Sequence, residues 1–356
     1  MISARGRRVL GRGAVLGVLL LALAPVGAQA FNKAIWGQVY RNGVNQFPLY
    51  HKLGVSIYEA DLDWAVVAPT RPKNATNPKD PAYQWPVAIQ QAVTQARRYH
   101  IRVMLQVLFT PPWANRRRPH NFPPENPRDF ADFVTAAARR YPSIHLWMIW
   151  GEPNRHPNFA LTQAVVPGRK LTDTQQTAPH TYARILDASY GALKGVSKKN
   201  LVIGGSTYST GDIDTQQWIE NLRLPDGRPP RMDVYAHNPF SAKEPSFSIP
   251  YSPFGEVQFS DLPELAGWID RYLRRGMPIF LSEFTVPTAF DEEFDFWVDP
   301  KVAAKWVTAA LRLSRGWHRI YALGWIHVYD DPPLSSGGLL TVEGVPKPSF
   351  AAFEHG

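Results

Sequence analysis

Leu-Trp-Met-Ile-Trp-Gly-Glu-Pro-Asn, residues 146–154, is a short apolar run that ends in a glutamate, a proline and an asparagine. The run 279–284, Ile-Phe-Leu-Ser-Glu-Phe, has the same character and also carries its one charge near its end. Short apolar runs of this length are typical of buried strands. We therefore predict two buried strands that each present a glutamate, Glu152 or Glu283, at the carboxyl end.

Six further β-rich runs occur along the chain, and longer helical patterns separate most of them. This alternation is typical of βα units on a parallel sheet. The eight predicted strands are Ala34–Gln38, Val55–Asp61, Val103–Leu108, Leu146–Trp150, Leu201–Gly205, Asp233–His237, Ile279–Glu283 and Leu323–His327. The predicted helices are Pro86–Tyr99, Pro127–Arg140, Thr181–Gly195, Asp214–Leu222, Leu262–Arg275 and Pro300–Ser314.

Eight strands, each followed by a helix or a long connection, predict an α/β fold: a single-domain (β/α)8 TIM barrel over residues 31–356. In this fold the loops after the strands form the functional face. An open doubly wound sheet is the alternative, but no glycine-rich turn follows the first strand, where Gly37 precedes Gln-Val-Tyr. The long loops are 109–126, 151–180, 238–260 and 284–299.

The composition excludes several classes of protein. Of the 356 residues, 44% are hydrophobic and 19% are charged, which is not the composition of a disordered chain. The chain has no cysteine, so disulfides, thiolate catalysis and cysteine-bound metals are excluded. The histidines lack zinc-site spacing, and we predict neither a metal nor an organic cofactor. No nucleic-acid-binding motif accompanies the basic residues.

Residues 1–30 are typical of a secretory signal peptide. Four arginines precede an apolar run over 14–24, and Ala28-Gln29-Ala30 fits the small-residue rule for cleavage. Removing these arginines reduces the net charge from +9 to +5. We predict a secreted or extracytoplasmic protein without stable membrane insertion after cleavage; an uncleaved membrane anchor is the alternative. No later run is long enough to span a bilayer.

The two predicted strand ends suggest a reaction. The fourth and seventh strands of an eight-stranded barrel face each other, so Glu152 and Glu283 are expected to point at one substrate. Burial disfavours an ionised carboxylate, which makes a purely structural role costly. Two facing carboxyl groups are what glycoside hydrolysis requires. A carboxyl separation of about 5–5.5 Å gives retention of configuration, and about 6.5–9.5 Å gives inversion.

Several motifs carry a resemblance to a known superfamily. Ile149-Trp150-Gly151-Glu152-Pro153-Asn154 resembles the Trp-Asn-Glu-Pro-Asn motif of clan A glycoside hydrolases, and Leu281-Ser282-Glu283 resembles their seventh-strand nucleophile segment. Further similarity to the cellulase family and the xylosidase/iduronidase-like family extends over about residues 33–353. The other matching segments are Ile35-Trp36-Gly37, Asp61-Leu62-Asp63-Trp64, Thr110-Pro111-Pro112-Trp113-Ala114, His237-Asn238-Pro239-Phe240 and Gly338-Leu339-Leu340-Thr341 with Pro346-Lys347-Pro348.

The resemblance implies residue roles. Glu152 would be the general acid/base and Glu283 the nucleophile of a retaining, cofactor-free glycosidase acting on a carbohydrate, with β-linked substrates expected. It also implies that Trp325 forms a sugar platform. The whole predicted substrate-binding set is Trp325, His237, Trp113, Asn154, Glu59 and Trp36. Barrel-core packing is the alternative for each tryptophan, and a buried, backbone-bonded histidine is the alternative for His237.

Three positions depart from the superfamily pattern. Gly151 replaces the asparagine that would contact the 2-hydroxyl of the sugar. Glu59 stands where many relatives carry an arginine, and an acid there would raise the pKa of Glu283. Phe240 replaces a tyrosine that would bond the nucleophile, and phenylalanine has no donor.

These departures leave other functions open. A catalytically impaired glycan-binding protein is one alternative, and a transglycosidase of the same fold is another. A barrel aldolase or isomerase would need a lysine or metal set at the strand ends, which the sequence does not contain. The sequence contains no signal for the sugar, the linkage, endo or exo action, or the oligomeric state.

Overall fold

The computed structural model describes residues 31–249, 251 and 255–356. The predicted signal peptide, residues 1–30, lies outside the described residues. Within the described ranges, no helix is both long enough and apolar enough to cross a membrane.

Eight parallel strands close into a barrel, in which each strand pairs with the next and the last pairs with the first. The predicted fold is therefore confirmed. The strands are β1 (Asn32–Trp36), β2 (Ile57–Asp63), β3 (Arg102–Leu108), β4 (Leu146–Ile149), β5 (Leu201–Tyr208), β6 (Val234–Asn238), β7 (Ile279–Phe284) and β8 (Ile320–Trp325). The prediction placed β1 and β8 two or three residues too late along the chain.

Nine helices occur in the described part of the chain, most of them between consecutive strands. They are α1 (Phe47–Lys52), α2 (Trp64–Val67), α3 (Val87–Arg98), α4 (Pro127–Arg140), α5 (Asp173–Val196), α6 (Thr215–Glu220), α7 (Leu262–Tyr272), α8 (Pro300–Gly316) and α9 (Pro348–His355). A small hairpin of Tyr40–Arg41 and Val44–Asn45 follows β1.

Local capping explains where two helices begin. The side chain of Asn126 accepts a bond from the backbone N–H of Arg128, and Pro127 occupies the first turn of α4, where its missing N–H costs nothing. Thr172 and Gln175 form a reciprocal capping box at the start of α5. The prediction started α5 at Thr181, which is too late, because this box fixes the beginning at Asp173.

Two hydrophobic layers hold the barrel. Small and flexible side chains such as Ala34, Met104 and Met148 fill its interior. A much larger cluster packs the outer face of the strands against the helices. Successive strand residues alternate between these layers, so the phase of each strand decides whether a side chain faces the barrel axis or the helices.

Gly324 lies at the most crowded point between β7 and β8. A Cβ at this position would lie 2.1 Å from the carbonyl oxygen of Ser282 and 2.3 Å from Oε1 of Glu59. We therefore expect Gly324→Ala to lower the free energy of unfolding by about 1–3 kcal/mol, as overpacking does. Urea or thermal unfolding measures the change.

The matched control is Gly267→Ala in the exposed middle of α7, where nothing lies within 4 Å of the added carbon. Alanine favours a helix over glycine, so this variant should gain about 0.5–1 kcal/mol. Equal stability changes in the two variants would contradict the packing at Gly324.

Candidate functional site

The backbone around Glu152 is bent by residues in the left-handed conformation. Phe109, Trp150 and Ser206, which lie at the ends of β3, β4 and β5, have φ values of 65°, 65° and 47°, and Glu152 has 46°. Such a conformation costs an L-residue about 1–2 kcal/mol, and it concentrates at functional sites. The N–H of Glu152 donates to the carbonyl of Ser206 at 3.0 Å, which anchors the bend to β5.

The carboxylate of Glu152 is 7% exposed and receives three donors. Nδ2 of Asn238 donates to Oε1 at 2.9 Å, while Nδ2 of Asn158 and Nη1 of Arg155 donate to Oε2 at 2.9 and 3.3 Å. Burial raises the pKa of Glu152, and the bonds from Asn238 and Arg155 oppose that shift. Three donors suit an ionised carboxylate, which can only accept.

Glu283, near the end of β7, has a different environment. Its side chain is partly exposed and forms no hydrogen bond to any residue in the described part of the chain. Burial among protein atoms raises its pKa well above the usual range. The charges of Glu152, Glu59, Asp61 and Glu293 raise this pKa further.

The electrostatic effect of Glu152 on Glu283 couples the two carboxyl groups. Both are desolvated, and two like charges in one low-dielectric space cannot both form cheaply. The pair therefore retains one proton to a higher pH than an isolated glutamate does. The apparent pKa values are properties of the two carboxyl groups together. Because the donors gather at Glu152 and favour its ionised form, the pKa of Glu283 is raised more than that of Glu152, and the proton of the pair favours Glu283.

Two further acids, Glu59 and Asp61, act electrostatically on Glu283. Glu59, on β2, is 1% exposed, and Oγ of Ser282 donates to its Oε2 at 3.0 Å. Burial raises the pKa of Glu59 well above its usual range. Asp61 is open to water in the cleft, yet the surrounding protein raises its pKa to about 6. Glu59 therefore acts on Glu283 electrostatically, as predicted for an acid at this position, and is too deeply buried to touch a sugar.

Gln106 explains the glycine that precedes Glu152. Its side chain fills the space beside Gly151, where a Cβ would lie 2.8 Å from Nε2. Nε2 of Gln106 donates to Oδ1 of Asp61 at 3.0 Å. An amide from β3 thus occupies the space that an asparagine at position 151 would need.

Trp325 does not face the cleft, contrary to the role that the resemblance implied. Its ring is fully buried in the outer layer, with Phe284 and Phe353 at centroid distances of 5.9 and 5.8 Å. The reason is the phase of β8, which turns Ala322 inward and Trp325 outward. Trp36 is the inward-facing tryptophan, since its Nε1 donates to the carbonyl of Ser282 at 3.2 Å beside Glu283.

His237 and Asn154 are fully buried and have structural partners. Nδ1 of His237 bonds Oγ1 of Thr207 and Nε2 bonds the carbonyl of Val257, both at 2.8 Å. The amide of Asn154 donates to two backbone carbonyls and accepts from the N–H of Tyr208 at 2.8 Å. Neither side chain has a polar atom left for a substrate, so the structure does not support their predicted binding roles.

The remaining predicted aromatic residues lie in different places. Trp113 is half-buried in the loop after β3, where its ring packs edge to face against Trp64 and its Nε1 donates to the carbonyl of Ala68, so its indole N–H already has a protein partner. Phe240 is buried in contact with Tyr208 and Phe294, with ring centroids 5.6 and 5.1 Å away. Of the predicted set, the structure brings Glu152, Glu283, Glu59 and Trp36 together.

A hydrogen bond between two loops borders the site. Nε2 of His327 lies 2.7 Å from Oε2 of Glu293, and the charge of Glu293 acts on both central glutamates. Sequence reasoning did not assign Glu293, Asn238 or Arg155 to the site. Asn238 stood beside His237 in a recognised motif, and strand alternation alone decides which of these two faces inward.

Two cavities flank the glutamates. One of about 330 Å³ includes Trp36 and His327 in its lining, and one of about 640 Å³ includes Tyr208, Phe240 and Glu293. Another of about 520 Å³ lies apart from the pair, between Lys170 and Tyr251. The chemistry of the site rests on the coupled carboxyl groups rather than on that third cavity.

The comparisons with known proteins agree with this fold. No family model matches the sequence, and no curated protein matches it. The chain is similar to the solved structure of a family 39 glycoside hydrolase from Bacteroides cellulosilyticus WH2, with a TM-score of 0.65 and 16% identity over 92% of this chain and 63% of that one. It is also similar to a β-xylosidase from Caulobacter crescentus CB15, with a TM-score of 0.61 and 16% identity over 91% of this chain and 67% of that one. For a glucosidase from Croceicoccus marinus, the TM-score is 0.65 and the identity is 13% over 92% of this chain and 65% of that one.

These neighbours agree with the barrel fold that the sequence predicted. At 13–16% identity, the likeness shows a shared fold. This chain spans 63–67% of the length of those three proteins.

The buried imidazole of His237 predicts a pH effect on stability. Burial lowers its pKa from 6.5 to about 4, so the unfolded chain binds a proton there more readily than the folded one. The contribution of neutral His237 to the free energy of unfolding is complete above the pKa that the histidine has in the unfolded chain. It is lost as the pH falls from about 6.5 to 4. The shift corresponds to about 3 kcal/mol of unfolding free energy.

We therefore expect the wild type to lose about 3 kcal/mol more than His237→Gln between pH 6.5 and 4, measured by urea unfolding. The variant is less stable at pH 7 but has the flatter profile. Parallel profiles would contradict a neutral, buried His237.

Proposed function

We propose that the chain is a secreted retaining glycoside hydrolase that cleaves β-linked O-glycosidic bonds in an oligo- or polysaccharide. The observation that carries the proposal is the coupling of two desolvated carboxyl groups, Glu152 and Glu283, at the ends of opposite barrel strands. Secretion follows from the signal-like segment 1–30 and depends on its cleavage.

The mechanism uses the single proton of the pair. Protonated Glu152 gives its proton to the glycosidic oxygen while ionised Glu283 attacks the anomeric carbon, and the bond to the leaving oxygen breaks. A water molecule then attacks that carbon and gives its proton to Glu152, while the bond to Glu283 breaks. Both carboxyl groups return to their starting states.

Substrate must first move the resting proton from Glu283 to Glu152. Positive charge develops at the anomeric carbon in the transition state, and this charge stabilises ionised Glu283. The glycosidic oxygen, in turn, needs a proton from the side of Glu152. The acids around Glu283 also stabilise that developing positive charge. They therefore oppose ionisation of Glu283 in the free enzyme, but they lower the free energy of the transition state once substrate is bound.

A substrate screen with variants tests the proposal. Aryl β-glycosides, arabinofuranosides, and plant and bacterial polysaccharides are offered to the purified chain lacking residues 1–30. Glu283→Ala should reduce turnover to background. Glu152→Ala should reduce kcat/KM by about 10²–10⁴-fold for poor leaving groups and far less for activated aryl groups, because only poor leaving groups need a proton.

Glu220→Ala, at the exposed end of α6, is the matched control and should keep full activity. Turnover by Glu283→Ala would exclude its nucleophilic role. An equal loss on good and poor leaving groups in Glu152→Ala would exclude the acid role of Glu152.

A glycan-binding protein without turnover is the second candidate. It is favoured by the absence, within the described residues, of any hydrogen-bond donor to Glu283, which leaves its pKa high. Specific polysaccharide binding by both wild type and Glu283→Ala, with no cleavage by either, would establish this alternative.

A further inference from the structure

A second aromatic surface borders the coupled glutamates. The cavity of about 640 Å³ lies between the ends of β5 and β6 and the loop after β7. Its size falls within the usual range for small-molecule sites. Its lining includes the aromatic residues Tyr208, Phe240, Phe290, Phe294 and Phe296.

The inner wall of this cavity is a continuous row of rings. Tyr208 contacts Phe240, Phe240 contacts Phe294, and Phe294 contacts Phe296, with centroid distances of 5.6, 5.1 and 5.8 Å. The wall is therefore apolar and fixed by its own packing. Sugar rings have apolar C–H faces that pack on such surfaces.

The outer rim exposes two large aromatic side chains. Phe290 is 71% exposed and Trp297 is 52% exposed, and their rings meet edge to face at 5.8 Å. Large aromatic side chains grouped on a surface are typical of interaction sites. This pair extends the apolar surface of the cavity outward from the barrel mouth.

The loop that carries these rings is held in place. Oδ2 of Asp291 accepts bonds from the N–H and Oγ of Ser336 at 2.8 and 2.7 Å, and Oδ1 accepts from the N–H of Phe294 at 2.9 Å. Oγ1 of Thr288 donates to the carbonyl of Ser336 at 3.0 Å. The rim is thus preorganised, which reduces the entropy lost on binding.

The cavity lies next to the proposed catalytic pair, although neither glutamate of the pair lines it. Glu293 lines the cavity and acts electrostatically on Glu152 and Glu283. The guanidinium of Arg155, which donates to Glu152, lies 4.3 Å from the ring centroid of Tyr208. A glycan bound at the pair therefore meets this wall with its next units.

The charge of the lining restricts the glycan. Five acidic residues line the cavity, namely buried Asp291 and the more exposed Glu256, Glu292, Glu293 and Asp295, and the described lining contains no lysine or arginine. Like charges in a cleft repel by several kcal/mol at close range. Uronic acid and sulfated units are disfavoured there.

We propose that this cavity and the Phe290–Trp297 rim form an extended subsite for further sugar units of a glycan that carries no carboxylate or sulfate groups. The inference rests on the proposed function and deepens it: the enzyme acts on chains longer than the unit held between the two glutamates.

The test compares short and long substrates. In Phe290→Ala/Trp297→Ala, kcat/KM for a long neutral oligosaccharide should fall about tenfold, since each stacking contact contributes about 0.5–1.5 kcal/mol. The value for an aryl glycoside of a single sugar should stay within about twofold. Val87→Ala, which truncates an exposed apolar side chain at the start of α3, should change neither value.

Equal changes on short and long substrates, or no change on either, would overturn the subsite. A charge test accompanies it: calorimetry on Glu283→Ala should detect neutral xylan or glucan oligosaccharides and far weaker binding of oligogalacturonates. Equal affinity for oligogalacturonates and for the neutral oligosaccharides would overturn the charge selectivity.

Failure of the proposed function has a different signature. In that case the wild type cleaves neither long nor short substrates, and calorimetry alone decides the subsite. Neutral oligosaccharide binding that is lost in Phe290→Ala/Trp297→Ala supports it, whereas absent or unchanged binding overturns it.

Discussion

The structure depends on one constraint: two carboxyl groups are held in a desolvated space where they cannot both ionise cheaply. The closed barrel creates this space because it turns the carboxyl ends of opposite strands toward one axis. Glu152 and Glu283 gain no stability for the fold by lying there, since burial disfavours each charge. Such an arrangement stores free energy at a site where chemistry can use it.

The neighbouring residues divide the pair into two unlike partners. Amide and guanidinium donors gather around Glu152, whereas other acids gather around Glu283. On β7, the hydroxyl of Ser282 donates to buried Glu59 and its carbonyl accepts from Trp36, so both side chains are held next to Glu283. The left-handed turn at Glu152 and the crowding at Gly324 then fix the pair in place. The contacts that pack the barrel therefore also position the two glutamates.

The sequence predicts the barrel and the two glutamates because strand periodicity and residue type carry that information locally. It does not predict which neighbouring side chain faces inward, since a one-residue change in the phase of a strand exchanges its two faces. Trp325 illustrates this: family resemblance suggested a platform, but the phase of β8 buries it in the outer layer. Gln106 and Asn238 lie beside the pair through pairing between strands, which a single sequence does not specify.

Measuring the shared proton is the most direct test, and it requires no substrate. A ¹³C NMR titration of protein labelled at the glutamate carboxyl carbons follows each ionisation. We expect one proton to stay on the pair far above the ordinary glutamate pKa of about 4.3. In Glu283→Gln this proton should be lost, and Glu152 should titrate at lower pH than in the wild type. Independent titration of both glutamates near their ordinary value would contradict the coupled site.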